Sequence, residues 1–178
     1  MNKIEFIENI PQIPEELLLY NIDDITSREN MFGLKKANDV YSTHDAPIEL
    51  YDFLRPHFES NIQIRYQVIK KQLPIHIDAH AKNVSHVFNY GLLTGGDSVK
   101  TRWWKMPKEK QLVFDGRAVD ICMGDEQSPY RLLQEIIIPP KRWHRLQVDI
   151  PHDISKIDTP RLGITVFENK WYLDYSYK

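Results

Sequence analysis

The chain has 178 residues, 23 Lys and Arg against 25 Asp and Glu, a formal net charge of −2 and a single cysteine, Cys122. That length suits one domain with its own core, while near-neutrality argues against nucleic acid or anionic lipid as partner and a lone cysteine excludes an internal disulfide framework. No stretch reaches the ~20 apolar residues of a membrane span, and acids interrupt the segment Met1 to Asn9 where a signal peptide would be apolar. The expectation is therefore a single cytoplasmic domain over 1–178.

In chain order, Pro14-Glu15-Glu16 ahead of Leu17-Leu18-Leu19-Tyr20 predicts a helix with proline at its start and acids in its first turn. Leu50, Phe53, Leu54 and Phe58 recur at three- and four-residue spacing and predict a second helix over 47–58 with one buried stripe. Residues 1–60 are thus expected to be mainly helical support. The period then changes to two: Ile62, Ile64, Tyr66 and Val68 alternate with Gln63, Arg65 and Gln67, which predicts a strand with one face on a core. Further strands are predicted over 84–93, 99–105, 132–138, 144–150 and 162–168, with turn signals at Thr94-Gly95-Gly96-Asp97 and Pro139-Pro140-Lys141. Many short strands behind a helical front, without βαβ alternation, predict a mainly β, two-sheet antiparallel barrel or jelly roll. Its core would span 61–168, with a tail over 169–178.

The segment Leu73-Pro74-Ile75-His76-Ile77-Asp78 places His76 and Asp78 two residues apart, so in an extended chain both project from the same face and reach one metal ion. His152 follows Asp78 by 74 residues. Leu146, Val148, Ile150 and His152 share one parity and Arg145, Gln147 and Asp149 the other, so the apolar, inward face carries His152. Two imidazoles and one carboxylate on one face of a metal make up the ligand set of non-heme Fe(II) oxygenases, which leaves the remaining positions open. Alone, His-x-Asp is a weak signal.

Context strengthens it. Arg161 comes nine residues after His152 and opens the apolar run Leu162 to Phe167. The turn formers between them predict a hairpin that sets Arg161 beside His152. A guanidinium there suits the far carboxylate of a cosubstrate whose oxo-acid end chelates the metal.

The order His-x-Asp, long gap, His, short gap, Arg resembles the Fe(II)/2-oxoglutarate-dependent oxygenase superfamily. With Phe88-Asn89-Tyr90-Gly91-Leu92-Leu93 and Thr101-Arg102-Trp103-Trp104, it is similar to small stand-alone phage-encoded members of the prolyl and aspartyl hydroxylase type, which would place the chain in the cytoplasm of a bacterium or phage-infected host. The resemblance implies a double-stranded β-helix that uses Fe(II), dioxygen and 2-oxoglutarate to oxidise a C–H bond of a peptide or small-molecule substrate, releasing succinate. By position it implies His76, Asp78 and His152 as metal ligands, Arg161 as the 2-oxoglutarate anchor and Asn89 near the cosubstrate. Two positions depart from the pattern. Gly163 stands where many relatives have the serine of Arg-x-Ser, so another donor is expected from Tyr66, Tyr90 or Lys100, and Lys82 stands where several carry arginine.

Plainer readings stand beside these. His44, His57 and His86 read as surface or core-capping histidines. His80 is a possible extra ligand on the His76 strand, and His144, eight residues from His152, would lie roughly 25 Å away along one strand. Adjacent Trp103 and Trp104 face opposite ways, one into the core and one as a platform at the barrel mouth. The rival functions are a non-catalytic jelly-roll module that binds a ligand, and an isomerase or hydrolase using another divalent metal.

Overall fold

The computed structural model describes residues 2–27, 41–59, 61–78, 85–105, 119–120 and 130–169. The front carries β1 (Ile4–Phe6), a 3-10 turn (Glu15–Leu17), α1 (Ile22–Ser27), β2 (Tyr41–Asp45) and α2 (Ile48–Leu54), which tightens into a second 3-10 turn (Arg55–His57). The strands that follow are β3 (Asn61–Ile69), β4 (Leu73–Ile77), β5 (His86–Leu93), β6 (Thr101–Lys105), β7 (Val119–Asp120), β8 (Arg131–Ile136), β9 (Trp143–Gln147), β10 (His152–Ile154) and β11 (Arg161–Asn169). No helix among the described residues is long and apolar enough to cross a membrane.

All pairings are antiparallel, in a six-stranded sheet ordered β1-β9-β5-β11-β3-β2 and a five-stranded sheet ordered β7-β4-β10-β6-β8. Leaving aside β1, β2 and β7, the remaining eight strands pair first with last (β3 with β11), second with seventh (β4 with β10), third with sixth (β5 with β9) and fourth with fifth (β6 with β8). A chain paired this way is one long hairpin wound into a double-stranded β-helix, which is the jelly roll. The mainly β jelly-roll expectation holds.

The six-stranded sheet has two differently used faces. Ile62, Ile64, Tyr66 and Val68 of β3 and Leu162, Ile164 and Val166 of β11 join Tyr90, Leu92 and Trp143 in one core with Ile10, Ile13, Leu18, Ile25, Leu50, Leu54 and Phe58. This is the outer face, covered by the front of the chain. Apolar alternation on β3 therefore marks the sheet–helix core, and the barrel interior receives the other parity. Between the sheets sit two smaller apolar clusters, Ile4, Val87, Trp103, Ile138, Leu146 and Val148 at one place and Ile69, Val99 and Ile154 at another.

Three local expectations need correcting. The helix over 14–20 is a single 3-10 turn, because Leu18 is extended at φ −96 and ψ 134. The Tyr66 hydroxyl accepts the Leu19 N–H at 3.0 Å, so tertiary contact takes a donor a longer helix would have used internally. The front is not support alone, since β1 and β2 form the two edges of the six-stranded sheet. The strand over 144–150 is broken: β9 stops at Gln147 and, after a bend, β10 starts at His152 in the other sheet. Pro151, which has no N–H for a ladder, sits at that change of sheet, and its carbonyl accepts the Trp104 N–H at 2.8 Å.

Candidate functional site

His76 and His152 meet because β4 and β10 are neighbours in the five-stranded sheet and the two residues are direct cross-strand partners. One step along, the register slips between His152 and Ile154, a bulge of the kind that re-aims side chains. The two rings lie 4.4 Å apart at 52°. Asp78, just past the end of β4 with its N–H on the Val148 carbonyl at 3.3 Å, brings Oδ1 to 3.3 Å from His76 Nε2 and 3.7 Å from His152 Nε2. Ligand atoms of all three lie within 4.8 Å of one another, a grouping that can hold a metal ion. The imidazoles are 8% and 6% exposed, and Asp78 is partly open to solvent.

The protonation pattern fits a cation. His152 Nδ1 lies 2.9 Å from the Ile150 carbonyl, and since a carbonyl only accepts, Nδ1 carries the hydrogen and Nε2 turns a lone pair towards His76 and Asp78. Burial, with His76 alongside, pushes the His152 imidazole down to about 4, so it is a neutral donor ligand at neutral pH. Two imidazoles and one carboxylate suit a divalent first-row metal.

Arg161 is also inside the barrel, but not beside His152. β10 and β11 belong to different sheets, and Arg161 pairs with Ile69 on β3. The expected hairpin does not form because 155–160 carries the chain from one sheet to the other. On β11 the even positions face the outer core, so Arg161, Gly163, Thr165 and Phe167 face inward. Burial alone draws the Arg161 guanidinium down to about 10, still charged at neutral pH. Among the described residues no carboxylate or hydrogen-bond acceptor meets it.

A row of inward residues crosses the six-stranded sheet by direct register: Asp45, Arg65, Thr165, Asn89, His144 and Phe6. Asn89 is thus on the interior face, and its Oδ1 accepts the Thr165 hydroxyl at 2.7 Å. Between this row and Arg161, a Cβ added at Gly163 would come 3.3 Å from the Tyr90 carbonyl oxygen, so a serine there would require the neighbouring backbone to shift by a few tenths of an ångström. None of the three substitute donors occupies the interior. Tyr66 and Tyr90 lie in the outer core, with the Tyr90 hydroxyl donating to Gln12 at 2.8 Å, and Lys100 pairs with Glu135 on the surface. Tyr41, which the sequence did not single out, takes its place in the row Tyr41, Ile69, Arg161. Burial raises its phenol to about 12, Asp78 adding its negative charge.

His144 occupies the six-stranded sheet rather than a continuous strand with His152, and it shares the parity that the sequence assigned to the inward face with Leu146, Val148, Ile150 and His152. Thr165 was open to detection, being two residues beyond Gly163 on the same face. Trp103 is fully buried as expected, whereas Trp104 lies on the opposite face with the Arg102 guanidinium 5.2 Å from its ring centre, not at the barrel mouth. His44 bonds Ser42 at 2.9 Å and His86 bonds Ser85 at 2.9 Å, away from the site. His80, Lys82 and Cys122 lie outside the described residues.

These features define the chain as a jelly-roll protein whose interior presents a His/Asp/His grouping suited to a metal. No family model matches the sequence, and no curated protein matches it. Among solved structures, a single-site mutant of Bacillus subtilis oxalate decarboxylase OxdC is similar at a TM-score of 0.40 and 10% identity, over 83% of this chain and 29% of that one. This chain spans less than a third of that enzyme's length, and the fold assignment rests on strand order and register.

Proposed function

We propose that the chain is an Fe(II)- and 2-oxoglutarate-dependent dioxygenase, oxidising a C–H bond of a peptide side chain or a small metabolite. The observation that carries this reading is the coexistence, in one interior, of a His76/Asp78/His152 grouping and a half-buried, inward-facing arginine with no anion among the described residues. A partly desolvated guanidinium is satisfied best by a carboxylate that it can grip through two charge-assisted hydrogen bonds. A dicarboxylate that chelates a metal at one end and meets a guanidinium at the other answers both features.

In this reading His76, Asp78 and His152 hold Fe(II), which when bound supplies the activation of dioxygen coupled to decarboxylation of 2-oxoglutarate to succinate. The Ile150 carbonyl keeps His152 in its metal-binding tautomer. Arg161 binds the far carboxylate and orients the cosubstrate, Asn89 and Thr165 line the adjoining interior, and the buried setting limits water. No nucleic acid is expected as substrate.

The test is anaerobic addition of Fe(II) and 2-oxoglutarate. A weak visible band near ~500 nm is expected from oxo-acid chelation at a facial-triad iron, followed by succinate formation under air. Metal binding with neither band nor succinate would instead favour the ligand-binding module, and turnover with another divalent metal that ignores 2-oxoglutarate would favour a hydrolase or isomerase.

A further inference from the structure

Glycine is disfavoured inside a strand, where it packs nothing, and it marks a bulge, a bend or a place where a ligand or another backbone comes close. Two glycines stand directly opposite each other on the inner face of the six-stranded sheet, Gly163 of β11 and Gly91 of β5, with Gln67 of β3 next in the same row. Both are half-buried, so this part of the interior is open. Neither has the positive φ that would ask for glycine. The register shift beside the pair takes up Leu92, which packs in the outer core, so the bulge does not ask for glycine at 91 either. At Gly163 the Tyr90 carbonyl oxygen, 3.3 Å from an added Cβ, gives part of the reason for glycine. At Gly91 an added Cβ would meet nothing closer than the Pro140 Cα at 4.0 Å, and the fold itself has room for alanine.

Contacts between the sheets show what faces the pair. Ile69, the cross-strand partner of Arg161, shares an apolar cluster with Ile154 of β10. His152 lies two residues before Ile154, and its own cross-strand partner Trp103 shares the other cluster with Val87 and Phe167. The His76/Asp78/His152 grouping is thereby bracketed over the part of β11 between Arg161 and Phe167, where the inward positions are Gly163 and Thr165. Thr165 is tied to Asn89, whereas the glycine pair presents bare backbone. Arg161, two residues from Gly163 on the same face, lies roughly 7 Å away along the strand. A cation, a strip of backbone without side chains and a metal-binding grouping on the facing sheet therefore surround one space.

We propose that Gly91 and Gly163 form a slot opposite the metal grouping, in which the carbon chain of the oxo-dicarboxylate lies against bare backbone on its way from the metal to Arg161. The slot rests on the proposed function and adds to it the two residues that make room for the cosubstrate. A Cβ at either position takes up the thickness that the chain needs, while a ligand confined to the metal does not reach the slot.

The test is calorimetry and thermal unfolding on the full chain loaded with Mn(II), with 2-oxoglutarate and oxalate as the two probes. Oxalate chelates the metal and has no chain beyond it. Gly91→Ala is expected to leave Mn(II) and oxalate binding unchanged and the melting temperature of the ligand-free protein unchanged or higher, since alanine suits a strand better than glycine. Its 2-oxoglutarate affinity should fall by about tenfold or more, and that of Gly91→Val further, as for one and then more methyl groups placed in a fitted pocket. Should Gly91→Ala fold poorly, the ratio of 2-oxoglutarate to oxalate affinity in Gly163→Ala reads the same slot and should fall likewise. Equal 2-oxoglutarate affinity in the unmodified and Gly91→Ala proteins, or a parallel loss of both acids, would overturn the slot and leave the oxygenase reading standing. Failure of the unmodified protein to bind 2-oxoglutarate beside Mn(II) would remove that reading and the slot with it.

Discussion

The inner faces of the two sheets are chemically opposite. The five-stranded sheet offers lone pairs and a negative charge: His76, Asp78 and His152, with Nε2 of His152 freed by the Ile150 carbonyl. The six-stranded sheet offers positive charge and neutral polar groups, Arg161, Asn89, Thr165 and His144, its one inward carboxylate among the described residues, Asp45, lying 3.9 Å from Arg65. His144 and His152 are held in the same tautomer by the same device, a carbonyl two residues earlier in the chain. One then faces the other two side chains of the His/Asp/His grouping, and the other lies beside Asn89 and Phe6. The lesson is that a histidine's ring geometry is set locally, whereas its chemistry is set by the sheet that happens to face it.

The largest effect is expected from breaking the five-stranded side. Asp78→Ala removes the carboxylate that both imidazoles approach and should weaken Mn(II) or Fe(II) binding by more than the 10–100-fold typical of losing a supporting group, while circular dichroism keeps its β signature. Breaking the six-stranded side should leave the metal alone. Arg161→Met is expected to weaken 2-oxoglutarate binding by roughly 100-fold and leave metal affinity intact. It should also hold or raise the melting temperature of the ligand-free protein, since a half-buried charge with no acidic partner among the described residues is replaced by an apolar chain. A fall in melting temperature would mean that Arg161 is a structural ion-pair residue.

A smaller effect lies behind His152. Arg102 grips Asp153 through two hydrogen bonds of 2.9 and 2.6 Å, and Asp153 is 2% exposed. Arg102→Met strands that carboxylate and should cost about 3 kcal/mol in denaturant unfolding, loosening β10 next to the metal grouping. Asp153→Leu added to Arg102→Met should recover most of the loss.

Acid sharpens the comparison of the two histidines. Both have folded values of about 4, below the ordinary 6.5, so the unfolded chain binds the protons first. Stability of the metal-free protein is full above about pH 6.5 and falls by up to about 1.4 kcal/mol per pH unit for each histidine down to about 4. His144→Gln should shallow that slope by roughly half, and bound metal should suppress the share belonging to His152. Urea unfolding at a series of pH values measures both.

Much of the site was legible in the sequence because its signals are local. His76 and Asp78 share a face by the two-residue period of a strand, and parity put His152 on the face that the structure buries, even though the strand assumed for it is broken. The period-two pattern of β3 was equally plain. It did not tell which of two cores it marked, because an apolar face buried under helices and one buried in a barrel look the same along the chain. The front helix over 14–20 failed for a related reason: its Leu and Tyr residues are apolar enough for either conformation, and the Tyr66 hydroxyl decides between them.

What the sequence determined by itself is the set of ingredients: a β-rich chain near neutrality, a His-x-Asp pair on one face, a second histidine and an arginine held in the second half of the chain. Only the tertiary structure decided which of these meet. Pairing the first strand with the last and the second with the seventh put His76 against His152 and sent Arg161 to the facing sheet. Those neighbours come from distant parts of the chain, and strand pairing between distant segments is selected by the burial of whole sheet faces, an energy no short stretch of sequence contains.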